Sequence, residues 1–208
     1  KAGQAQVPGA ERHWLLPTLC WYDCSDAALR FLCGGGAVLS LLFFLGVAPS
    51  PILFLLWAFY LSLSLVGRDF LSFQWDTLLL ETGLLAIFLA PPRWLPGMSK
   101  EAPPQKTVLW LMRWLLFRLM LESGAVKLLS GDPAWRGLTA LDFHYETQPL
   151  PTWIGWYAHQ LPVGFQKTSV AVMFVIELAA PFLIWLPRRP KIWACAALVF
   201  LQILIALT

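Results

Sequence analysis

Charge is what this sequence has least of. Asp, Glu, Lys and Arg make up only 13% of its 208 residues, against 58% hydrophobic and 14% aromatic, and mean hydropathy is +0.64. Ordinary soluble domains carry about a quarter charged residues, so the composition is that of a membrane protein or a piece of one. Asparagine is absent altogether, which leaves no N-glycosylation acceptor. Histidine occurs three times, and the two beyond the N-terminal arm, His144 and His159, lie in no apolar run and at no metal-ligand spacing. That argues against a metal site and against haem or chlorophyll ligation by a bundle, and no cofactor is read. Of the four cysteines, Cys20 and Cys24 stand as C-x3-C rather than C-x-x-C, poor support for a redox centre or a disulfide. Cys33 and Cys195 lie in apolar runs and read as packing residues. The basic residues are scattered and the net charge is only +3, which excludes a nucleic-acid face. No phosphate loop, dinucleotide glycine pattern or Ser-His-Asp elbow is present.

Apolar runs are what the chain has instead. Several approach or exceed the roughly 20 residues that cross a hydrocarbon core of about 30 Å, so the spans are helices and not barrel strands. Residues Lys1 to Asp26, with Trp14, Trp21 and Tyr22, read as an interfacial arm without a signal peptide. A first span over Ala27 to Val47 and a second over Ile52 to Val66 are joined by Ala48-Pro49-Ser50-Pro51, short enough to force an antiparallel hairpin. Gly34-Gly35-Gly36 in the first span reads as a site of close helix approach. A third span runs from Phe70 to Ala90. The polar stretch Pro91 to Lys106 precedes a fourth, Thr107 to Leu129. Ser130 to Gln166 is too polar and proline-broken to cross, yet rich in Trp and Tyr, and is expected to lie at the interface as a cap. A fifth span over Thr168 to Leu186 and a sixth from Ile192 to Thr208 follow. The prediction is an all-α, polytopic transmembrane bundle of about six helices: an arm over 1–26, then a helical domain over 27–208 with 130–166 as its interfacial cap. Lys1 in place of Met, and Thr208 inside an apolar run, lead us to expect processing boundaries and an incomplete C-terminus. Dense basic loops, Arg93, Lys100 and Lys106 and then Arg188, Arg189 and Lys191, favour a cytosolic position, leaving the cap outside or in a lumen.

Asp76, Glu81, Arg118, Glu122, Lys127 and Glu177 fall within or at the edge of these spans, where a charge costs roughly 2.5 to 3.5 kcal/mol at a helix centre. Arg118 and Glu122 stand i,i+4 and can pair along one face. Lys127, five residues beyond Glu122, points elsewhere and needs another partner or water. Asp76 and Glu81 share that five-residue offset, so they form no paired-carboxylate site. Two readings stay open. In one the charges form a buried ion-pair network that fixes helix packing. In the other they line a polar cavity with Lys127 as base or anion ligand beside Glu122 and Asp76.

The run from Phe73 through Trp75-Asp76 to Glu81-Thr82-Gly83 resembles the lipase maturation factor family. So does the longer run FRLMLESGAVKLLSGDPAWRGLTALDFHYETQPLPTWIGWYAHQLP, from Phe117 to Pro162. The likeness extends through Glu177, Pro181 and Pro187-Arg188-Arg189. It implies a membrane protein that helps lipases fold and assemble, in the endoplasmic reticulum if eukaryotic and in the plasma (inner) membrane if bacterial. It also implies a C-terminal region, beyond the bundle, that accompanies client recognition. A more distant likeness, in Ser123-Gly124-Ala125-Val126-Lys127-Leu128 with Asp132 and Trp135, is to the membrane domain of vitamin K-dependent gamma-carboxylases, which implies Lys127 as an active-site base.

The leading expectation is therefore a factor that assists folding, maturation or assembly of exported or membrane proteins without itself being an enzyme. Its partners would be the lipid bilayer and client proteins. Its recognition surface would be the cap, through Asp132, Trp135, Arg136, His144, Tyr145, Glu146, Trp153, Trp156 and His159, since Trp, Tyr and Arg dominate binding hot spots. The alternatives are a membrane enzyme with Lys127 as base and Glu122 beside it, or an accessory subunit of a larger membrane complex.

Overall fold

The computed structural model describes residues 17–67, 69–91, 94 and 103–208. Most of the expected arm, with Trp14, and most of the basic connector, with Arg93 and Lys100, lie outside the described residues. The described residues form a short 3-10 turn, Leu19–Trp21, and nine α-helices without a strand. The helices are α1 (Asp26–Phe44), α2 (Pro49–Val66), α3 (Gln74–Leu89), α4 (Lys106–Leu129), α5 (Pro133–Arg136), α6 (Ala140–Thr147), α7 (Trp153–His159), α8 (Val163–Leu183) and α9 (Arg188–Leu207). The all-helical, polytopic architecture read from the sequence is present. Four helices, α1, α2, α8 and α9, are long and apolar enough to cross a membrane. The other two expected spans differ. α3 has 16 residues, about 24 Å of helix and short of a full crossing, and α4 is long enough but carries five charged residues.

The chain divides inside α4 into two compact units, Lys1–Met112 and Arg113–Thr208. In the first, α1 and α2 form the expected hairpin and α3 packs on α2. Ser25 caps α1 by accepting from the Ala28 N–H at 3.2 Å, and α2 opens on Pro49, whose missing N–H costs nothing in a first turn. Of the three consecutive glycines only Gly35 faces a neighbour, where a Cβ would stand 3.2 Å from Phe59, while Gly34 and Gly36 face open space. The 3-10 turn is pinned to α2 because the Leu19 N–H donates to Ser62 Oγ at 2.9 Å. All four cysteines are free; Cys20 is buried, and Cys33 and Cys195 are exposed rather than packed inside.

In the second unit α4, α8 and α9 share a core of Met120, Ala180, Ile184, Ala194, Leu198 and Leu201. Gly124 lets α4 approach α8, since a Cβ there would meet Leu178 at 2.8 Å and Glu177 Cβ at 3.1 Å. Most other apolar side chains on the spans point outward: Val175, Trp193, Val199 and Phe200 are all more than half exposed. That distribution fits hydrocarbon surroundings and would be untenable in water.

Gly124→Val is expected to cost about 1–3 kcal/mol through overpacking. Gly36→Ala, which adds a methyl to open space and removes a helix-interior glycine, is expected to cost nothing. Thermal midpoints in detergent check both.

Candidate functional site

Glu177 lies in the middle of α8 with 2% of its surface exposed, a carboxylate inside a helix of membrane-spanning length. Its partner comes from α4: Lys127 Nζ donates to Glu177 Oε1 at 2.5 Å and to Ser123 Oγ at 3.1 Å, and Ser123 Oγ stands 3.3 Å from the same carboxylate oxygen. Ser123 and Lys127 share a helix face because they are four residues apart. The second oxygen, Glu177 Oε2, is buried without a donor among the described residues. Four residues on, Pro181 supplies no N–H to the Glu177 carbonyl, so the helix is loosened beside the ion pair.

Over the ammonium sits the Trp135 ring, its centroid 5.5 Å from Nζ, a cation–π contact that also shields the pair. Trp135 meets Phe174 of α8 edge-on at 6.1 Å. The chain reaches that position by stopping α4 at Ser130 and restarting as α5. Asp132 caps α5 by accepting from the Ala134 N–H at 2.8 Å, and Pro133 occupies its first position. α5 lasts one turn. The Leu138 N–H donates to the Trp135 carbonyl and the Thr139 N–H to the Ala134 carbonyl, closing a Schellman turn with Leu138 at φ 57°. A leucine in that left-handed region is strained by roughly 1–2 kcal/mol.

α5 and α6 bound an open cleft of about 560 Å³ whose lining includes Asp132, Trp135, Thr139, Phe143, His144 and Thr147. Burial, helped by the positive charge of Lys127, pushes the His144 pKa down from its usual range and favours the neutral ring. Beyond it Tyr145 touches both histidine rings, His144 at 5.6 Å and His159 at 6.0 Å between centroids. His159 Nε2 lies 3.5 Å from Glu146 Oε1. α7 is fixed to α9: Thr152 Oγ1 donates to the Leu207 carbonyl at 2.7 Å, and Gly155 leaves room for the main chain of Thr208.

The sequence-predicted residues thus fall into separate places. Lys127 meets Glu177 and lies against the ring of Trp135, which with His144 lines the cleft. Glu122 is exposed on α4 and is not the residue beside Lys127. Asp76 belongs to the first unit, where it is 3% exposed, accepts from Tyr60 Oη at 2.5 Å and from the Phe73 N–H at 3.0 Å, and thereby holds the first turn of α3. Glu81 and Arg118 are half-buried. Trp153, Trp156 and Arg136 are exposed, Trp153 at 75%. Ser123 was not among the predicted residues, although its i,i+4 spacing from Lys127 was a usable signal. Among the described residues no three His, Cys, Asp or Glu side chains converge as a metal site would require.

A helical chain with four crossing-length helices, outward apolar faces and an ion pair closed inside a span is a polytopic integral membrane protein. A family model described as the lipase maturation factor transmembrane domain matches residues 2–208, and the chain belongs to the lipase maturation factor family. It is 49% identical over 203 residues to lipase maturation factor 2 of Xenopus laevis, covering 92% of this chain and 28% of that protein. It is 46% identical to the Homo sapiens protein of the same name, covering 94% and 30%. With lipase maturation factor 1 of Homo sapiens it shares 41% identity, covering 91% and 33%. The chain therefore spans about a third or less of the curated relatives it matches. No solved structure matches it.

Lys127→Met leaves Glu177 buried without its cation and is expected to cost about 3 kcal/mol or more. Adding Glu177→Gln to it removes the stranded charge and is expected to recover most of that loss. Thermal midpoints of the single and double variants measure both effects; equal midpoints would show that the pair contributes nothing to stability.

Proposed function

We propose that this chain is the membrane-embedded part of a factor that supports folding and assembly of lipases. The single observation that carries the reading is membership of a family whose relatives are named lipase maturation factors, over nearly the whole chain. The endoplasmic-reticulum membrane is the compartment this role implies in a eukaryote. Within the chain, the client-facing surface is assigned to the cap. Its exposed Arg136 and Glu146 flank a cleft with aromatic walls, a mixture of rigid rings and charge suited to holding an incompletely folded polypeptide. The ion pair between Lys127 and Glu177 serves this surface indirectly, by holding α4 against α8 so that α5 and α6 are presented in one geometry.

A second reading, a membrane enzyme with Lys127 as base, draws on the position of the ammonium beside an open cleft. In its present geometry that nitrogen is engaged by Glu177 and Ser123, so a substrate would have to displace one of them.

The test uses the full-length protein in cells lacking their own lipase maturation factors. Tyr145→Ala combined with Arg136→Ala is expected to lower secreted lipase activity several-fold while protein level stays unchanged. Undiminished activity would remove the cap from client handling. Lys127→Arg separates the readings further: normal accumulation with lost activity would favour the enzyme, whereas activity that tracks accumulation supports a structural lysine.

A further inference from the structure

The depth at which the cap meets α8 can be measured along the helix itself. Lys167 near the start of α8 and Arg188 just beyond its end are both exposed, and between them the only charged residue is the buried Glu177. From Lys167 to its last residue, Leu183, α8 advances about 24 Å, and the four non-helical residues 184–187 carry the chain on to Arg188, so the two cations bracket an apolar stretch close to the roughly 30 Å of a hydrocarbon core. Phe174 is then about 10 Å inside the boundary at Lys167, and Glu177 about 15 Å inside, near the mid-plane. Trp135 lies against Phe174, and Lys127 against Glu177. The segment that leaves α4 at Ser130 and forms α5 therefore lies well below the interface. It climbs out only through α6, which packs on α8, and α7, which is tied to the end of α9.

Lipid cannot surround such a segment. Residues 130–132 and 137–139 are non-helical, Asp132 is exposed, and the cleft between α5 and α6 presents the hydroxyls of Thr139 and Thr147 and the imidazole of His144. Backbone of this kind at membrane depth is stable only where protein buries it or where it lines water. The cleft, at about 560 Å³, is many times the roughly 30 Å³ share of one water molecule. Beside it, Lys127 keeps 22% of its side chain exposed even while paired.

We propose that Ser130–Thr147 is a re-entrant segment and that the cleft between α5 and α6 is a water-filled vestibule, open at the face where α8 begins and reaching Lys127 near the mid-plane of the bilayer. The vestibule takes water and small hydrophilic solutes. This revises the expected position of the cap: α7 stays at the interface while α5 and the first turn of α6 do not. The inference does not depend on the lipase reading, because it concerns depth and hydration alone.

Single cysteines placed in the full-length protein, in sealed membrane vesicles of both orientations, test it. The probe is a positively charged, membrane-impermeant methanethiosulfonate reagent, and label is counted above that of the unsubstituted protein. Ala134→Cys and Thr139→Cys, in the cleft, are expected to be modified from one side of the membrane only. Val175→Cys, at the same depth on α8 and 65% exposed, should face lipid and react at least about tenfold more slowly. Thr147→Cys, nearer the mouth, carries the test should either deeper variant fail to accumulate. Cleft cysteines that stay unmodified until detergent is added, or a Val175→Cys that reacts as fast as they do, would overturn the proposal.

Discussion

A carboxylate on a helix that crosses a bilayer must be met by a cation or give up its charge, and the second unit is arranged around how Glu177 is met. Its cation, Lys127, stands near the C-terminal end of α4, so α4 has to run close beside α8. Close approach in turn requires Gly124, where any side chain would collide with Leu178. With α4 in that place the chain emerges far from the membrane surface. The Gly131-Asp132-Pro133 break then directs it into a one-turn helix that lays Trp135 across the ammonium. Removing the charge from either end would leave this sequence of constraints without its origin. Two apolar side chains in place of the pair would suit the surrounding hydrocarbon better, yet they would not fix the rotation of α4 about its axis as a directional ion pair does.

The first unit solves the same problem with a neutral partner. Asp76 is as buried as Glu177, but it sits at the start of α3 rather than in mid-helix. There the main-chain N–H of Phe73 and the favourable end of the helix dipole hold its charge, and the Tyr60 hydroxyl completes the shell. Two buried acids thus have different uses. One fixes where a helix begins, and the other fixes which helices touch.

Much of this architecture was legible in the sequence. The apolar runs marked the long helices, and Ala48-Pro49-Ser50-Pro51 marked the hairpin. Less legible was everything that depends on a second helix. Spacing along α4 relates Lys127 to Glu122 and Arg118, but it carries no information about a residue 50 positions away, so Glu177 could be listed as an intramembrane acid without being matched to its lysine. Asp76 was misplaced for a local reason: the apolar Phe70 and Leu71 extend the hydrophobic run past the true start of α3, and only the reach of Asp76 back to Phe73 reveals the cap. The three glycines were read as one packing site, yet a helix turns 100° per residue, so only the middle one can face α2.

The sequence distance between Lys127 and Glu177 also bears on how the protein is made. Chains are synthesised at about 5–20 residues per second from the N-terminus, so α4 is complete several seconds before its counter-charge exists. Throughout that interval α4 carries an uncompensated lysine and cannot settle stably among lipids. The stable place of α4 therefore depends on the arrival of α8, and the hairpin of α1 and α2 is synthesised well before α4 has its counter-charge.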